Sequence, residues 1–147
     1  MACNNTCLNT PYKKSCQMAY NNAAQTIQAA GTTINILGNQ GTDTGVSIDT
    51  ATSGFTIRNT GLYRISYDVT FTAGAAGTAA LTFQRNGVTM PCVNSQVTVA
   101  ADGVYTLHGE TTVYIPVCCS ATAAISAQLS GVAAVINNVC ASAVKLA

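Results

Sequence analysis

His108 is the only histidine in the 147-residue chain, so any imidazole base would have to be built on it. A Ser/His or Cys/His nucleophile needs its hydroxyl or thiol brought to that ring, and no signature of such a site surrounds any Ser or Cys. Carboxylates are equally scarce: Asp43, Asp49, Asp68, Asp102 and Glu110 are the full set. Their spacing matches no calcium loop, and four of them fall in or beside turns, where Asp is favoured for its bonds to the backbone. Paired acids, a phosphate-cradling glycine loop and a zinc spacing are all missing. His108 shares a strand face with Thr106 and Glu110 and reads as an exposed or interfacial residue. The expectation is a protein with no catalytic residues, no cofactor and no metal.

Cysteine is the one unusual count: Cys3, Cys7, Cys16, Cys92, Cys118, Cys119 and Cys140. No Cys-x2-Cys occurs, and a single histidine cannot complete several zinc sites. Buried thiols acting as small hydrophobes suit a reducing compartment, whereas disulfides suit an exposed particle surface. The odd number leaves at least one cysteine unpaired within the chain, or paired between chains. Adjacent Cys118 and Cys119 point to opposite faces of a strand and so rarely bond each other. The favoured reading is that Cys3, Cys7 and Cys16 pair locally or tie an N-terminal arm to the body.

Charge limits the partners. Only 7% of residues are charged, the net charge is +1, and the six basic residues form no patch, so the sequence predicts no nucleic-acid partner. No window approaches the roughly 20 apolar residues of a membrane helix, and no membrane partner is expected. The first residues, MACNNTCLNTPYKKSC, have no apolar run behind a basic start and do not read as a Sec-type signal peptide. Asn4-Asn5-Thr6 matches a glycosylation acceptor, a match with little meaning without an export signal. A surface so poor in charge and rich in small residues tolerates close contact between subunits, which favours self-association.

The elements that would position these residues are strands. Thr, Val and Ile supply 43 positions, while Leu, Glu and Lys together supply 11, which favours an all-β chain. Residues 1 to about 25 differ from the rest in their density of Cys and Asn and read as an arm; Gln17 to Ala30 could hold a short helical turn or an extended segment. From Ile34 onward, short runs are punctuated by Gly, Asn and Asp. Tyr63, Ile65, Tyr67, Val69 and Phe71 alternate strictly with Arg64, Ser66, Asp68, Thr70 and Thr72, the pattern of a strand with one wet face. Phe55 and Ile57 give a preceding strand. Asn86-Gly87 between Leu81–Arg85 and Val88–Met90 signals a hairpin, whose return should end near Pro91 or lie at a sheet edge. Val97 to Ala100, Val104 to Val117 with a possible break at Gly109, Ala121 to Leu129 and Ala141 to Leu146 read as further strands, and Ala73 to Ala80 as a Gly/Ala loop. The total is eight to ten.

Four segments, GFTIRNTGLYRISYDVTFTA, LTFQRNGV, TTVYIPVCCSATAAISAQLSG and CASAVKLA, resemble the C1q/TNF-like jelly roll, in particular the versions found at exosporium-filament tips and on virion surfaces. The resemblance covers residues 30 to 147 and rests on Gly61-x-Tyr63 entering a long alternating strand, the Asn86-Gly87 hairpin and a last strand ending in Lys145-Leu146. It departs at Cys118-Cys119-Ser120-Ala121, where the family has an Ala-Gly-Asp turn, and no collagen-like repeat is present. The resemblance implies a two-sheet antiparallel jelly-roll sandwich, a homotrimer, and N-termini gathered at one end for attachment.

Together these readings predict a head domain over 30–147 and an attachment arm over 1–25. The expected function is a non-enzymatic trimeric decoration or head-fibre component on the outside of a phage capsid, made in the host cytoplasm and held to the major capsid protein, or another particle-surface protein, by the arm. The alternative is a glycan- or receptor-binding trimeric head on a virion or spore, for which a host surface glycan is the partner. The apolar side chains that alternation leaves on a second face, Val104 and Tyr114 beside His108, with Val144 and Leu146 of the closing strand, are the expected trimer contacts.

Overall fold

The computed structural model describes residues 16–36, 39–40, 46–49, 53–117 and 122–147, and describes side chains for all of these but 39–40, 46–49 and 92–94. Twelve strands are formed among them: β1 (Cys16–Asn21), β2 (Gln25–Ile27), β3 (Thr32–Thr33), β4 (Asn39–Gln40), β5 (Val46–Asp49), β6 (Gly54–Ile57), β7 (Gly61–Ala73), β8 (Gly77–Arg85), β9 (Val88–Val99), β10 (Val104–Ile115), β11 (Ala123–Ser130) and β12 (Ala134–Lys145). They make two antiparallel sheets. The front sheet runs β10-β7-β12-β1-β4, with β2 also on β12; the back sheet runs β5-β6-β11-β8-β9, with β3 also on β11. This is the predicted all-β sandwich, in which strands distant in sequence are neighbours in space.

The core forms where the inward faces meet. Tyr63, Ile65, Tyr67, Val69 and Phe71 of β7 are fully buried, as their alternation requires, and face Phe55 of β6 and Leu81 and Phe83 of β8. Tyr67 packs edge-on against Phe55, with centroids 6.1 Å apart, and lies 5.3 Å from Phe83. Aromatic pairs in such tilted geometries add to the benefit of simple burial. The Tyr63 hydroxyl donates to the Asn59 carbonyl at 2.6 Å. The Tyr67 hydroxyl has no hydrogen-bond partner among the described residues, and burial pushes its ionisation far above the ordinary phenol range.

Turn chemistry accounts for the connections. Asn86 and Gly87 both have positive φ, 50° and 81°, as a two-residue hairpin between β8 and β9 demands. Pro91 does not end β9, because β9 is an edge strand, where a missing donor costs no ladder bond. Three expectations are corrected. Ala73 to Ala80 is not a loop: β7 extends to Ala73 and β8 begins at Gly77. Gly109 does not break β10. Its inward position lets β10 lie close over the back sheet, and a Cβ there would meet Leu81 Cδ2 at 2.9 Å and Phe83 Cζ at 3.3 Å. The closing strand starts at Ala134 and not Ala141, and the register shifts between Ile136 and Asn138.

Gln17 to Ala30 resolves in favour of the extended alternative. β1 lies between β12 and β4, and pairs with β12 from Cys16↔Val144 to Asn21↔Val139. Residues 16–21 are therefore an integral strand of the front sheet, and residues 1–15 lie outside the described part of the chain. The Gly61 and Lys145-Leu146 motifs meet one another: Leu62 N–H donates to the Ala147 carbonyl at 2.8 Å, and Leu146 N–H donates to the Leu62 carbonyl at 2.7 Å. A Cβ on Gly61 would collide with Lys145 Cε and the Ala147 carbonyl, which gives the glycine a steric reason.

Candidate functional site

The outward face of the front sheet can be built row by row from strand register. The middle row is Tyr20, Cys140, Asp68 and His108, directly opposite one another across β1, β12, β7 and β10. The row toward one end is Met18, Ser142, Ser66 and Glu110, followed by Cys16, Val144, Arg64 and Thr112, and the edge there is Leu62 beside Tyr114, with Leu146 following β12. Toward the other end come Asn138, Thr70 and Thr106, then Val135, Thr72 and Val104. All these side chains point away from the core, because their inward alternates are buried.

Two properties set this face apart. Among the described residues, seven large apolar side chains are exposed, and six of them, Met18, Tyr20, Val104, Tyr114, Val135 and Leu146, are here; the seventh, Val88, is at the β8–β9 hairpin. Val104, Met18 and Tyr114 are 64, 65 and 56% exposed, more than a half-buried strand surface requires. The face also holds a charged group. His108 Nδ1 lies 2.7 Å from Asp68 Oδ1, and His108 Nε2 lies 3.7 Å from Glu110 Oε2, with all three side chains about half exposed. Hydroxyl pairs flank it: Ser66 with Ser142 at 2.8 Å and Thr70 with Thr106 at 3.0 Å.

Chemically, this arrangement is a poor fit for a nucleophile. A base must have a ring nitrogen within hydrogen-bond reach of the hydroxyl or thiol it activates. Both nitrogens of His108 are directed at carboxylates, and the neighbouring hydroxyls bond to one another. Among the described residues, no group of three or more His, Cys, Asp or Glu is arranged to hold a metal ion. A sheet face that exposes Met, Tyr, Val and Leu side chains together is suited to contact with another protein surface.

All five residues expected at a trimer contact, Val104, His108, Tyr114, Val144 and Leu146, lie on this one face. The exposed apolar members Met18, Tyr20 and Val135 were not identified from sequence, nor was the pairing of Asp68 with His108. Of the cysteines, Cys16 and Cys140 are exposed on the same face. Cys3, Cys7, Cys118 and Cys119, and the side chain of Cys92, lie outside the described residues, and with them any pairing of the arm.

Comparison with solved structures identifies the sandwich. The chain is similar to the globular domain of zebrafish complement 1qA protein, with a TM-score of 0.67, 8% identity, and 92% of this chain and 98% of that one covered. The fold is the C1q/TNF-like jelly roll. The Eiger TNF structure from S. frugiperda matches with a TM-score of 0.65 at 10% identity, covering 90% of this chain and 92% of that one. Vertex protein P5 of phage PRD1 matches with a TM-score of 0.54 at 16% identity, covering 90% of this jelly-roll chain and 73% of that one. No protein-family model and no curated protein matches the sequence. At these identities the likeness shows shared architecture and leaves the partners to be argued from the surface.

Proposed function

We propose that the protein is a non-enzymatic homotrimer that decorates the exterior of a phage particle, with copies packed through the outward face of the front sheet. The observation that carries this reading is the concentration of exposed apolar side chains on that single face. Leaving Met18, Tyr20, Val104 and Tyr114 in water forgoes the burial that drives association, and a threefold ring in which part of this face on each copy packs against a different surface of the next copy provides it. The fold shared with TNF and complement domains supports a compact assembly, and the likeness to a phage vertex protein supports the virion surface.

In this reading the residues that precede β1 attach the trimer to a capsid or other particle-surface protein. Removing residues 1–15 is expected to leave a trimer, lighter than three times the full-length 15.0 kDa by the mass of the three missing arms, while abolishing its cosedimentation with virions. A truncated trimer that still cosediments contradicts the role of the arm. A full-length chain that is monomeric contradicts the proposal as a whole.

A further inference from the structure

The middle row of the front face holds four protonatable side chains in line, Tyr20, Cys140, Asp68 and His108, with Glu110 beside the histidine on its own strand. The apolar positions lie on both sides of this row: Val104 and Val135 toward one end of the sheet, Tyr114 and Leu146 toward the other. A copy that covers both apolar ends must also cover the row between them. We propose that His108, held between Asp68 and Glu110, is a proton-operated control on self-association through this face. This rests on the trimer reading above and specifies how that same face is regulated.

The sign follows from the charges. Facing His108 are Asp68 from β7 and Glu110 from β10, with Cys140 of β12 and Tyr20 of β1 further along the row; Arg64 of β7 lies two rows away. The described side chains of β9, which packs along β10, include no titratable group. Among the described residues, each subunit brings two carboxylates and one guanidinium to the face when the imidazole is neutral, and with an imidazolium these charges balance. Docking displaces water from the row and strengthens the attraction between imidazolium and carboxylate, as well as the repulsion between carboxylates left without a cation. Assembly therefore takes up protons, and association tightens as pH falls through the range in which histidine changes charge.

Sedimentation equilibrium of the full chain in reductant at pH 5.5, 6.5 and 7.5 tests this, because neither carboxylates nor thiols ordinarily change charge across most of that window. If the three histidines of a trimer together take up one proton, the association constant falls about tenfold for each unit of rising pH. His108→Gln is expected to remain a trimer with an association constant that varies less than about twofold over the window. A wild-type trimer whose association is independent of pH overturns the control while leaving the trimer reading intact. So does a His108→Gln trimer with the wild-type slope. A chain that is monomeric at every pH overturns the trimer reading itself.

Discussion

The two outward faces of the sandwich are made by strands of similar threonine content, yet they differ in what they present to water. The back sheet turns Thr78, Thr82, Gln84, Gln96, Thr98 and Gln128 outward, and no described side chain at the outward positions of β6, β8, β9 and β11 carries a charge. The front sheet exposes aromatic and aliphatic side chains around a histidine–carboxylate group. Small neutral polar residues are satisfied by solvent alone, whereas large apolar ones gain from being covered. The contrast within one molecule is the reason the proposed self-association surface is put on the front sheet.

The most forceful way to break that contrast is to put a charge on each face. Tyr114→Asp places a carboxylate where a copy must dock and is expected to weaken association about a hundredfold, with circular dichroism unchanged. Loss of the folded signal instead would mean that Tyr114 supports the sandwich and not the assembly. Beneath the front face, Gly109→Ala forces a Cβ to within 2.9 Å of Leu81 and should lower unfolding stability by about 1–3 kcal/mol in urea titrations. In the interior between the faces, Tyr67→Phe removes a buried hydroxyl that has no hydrogen-bond partner among the described residues and is expected to raise stability by about 1 kcal/mol, read as a higher urea midpoint. On the back sheet, Gln96→Lys should change stability by less than about 0.5 kcal/mol and leave the mass by light scattering unaltered.

The same contrast explains which parts of the molecule could be read from sequence. Strand β7 was legible because, from Tyr63 onward, its apolar residues point inward and its polar residues outward. Strand β1 reverses that rule: Gln17 and Asn21 are buried with Ala19, while Cys16, Met18 and Tyr20 face out. A chain whose larger apolar residues face water in the isolated fold gives a misleading pattern until a partner surface is considered. In β12 the obstacle was local. Ala134 and Ile136 point inward, Asn137 is inserted at the bulge, and Val139, Ala141 and Ala143 then point inward with the opposite parity. A break in period two hides the first half of that strand, and with it Val135. Asp68 could be placed on the wet face of β7, but its pairing with His108 depends on the β7–β10 register, which spans 40 residues of sequence.

Cys140 provides a native reporter of the central claim, since its exposed thiol lies between Tyr20 and Asp68 in the middle of the front face. The measurement is the rate of iodoacetamide alkylation at Cys140, followed by peptide mass mapping, in the wild type and in Tyr114→Asp. A face covered by copies of the same chain should slow the wild-type rate about tenfold or more relative to the dissociated variant, in proportion to the small fraction left open. Equal rates at Cys140, with the wild type assembled, would show that the front face is open to solvent and that the copies meet elsewhere.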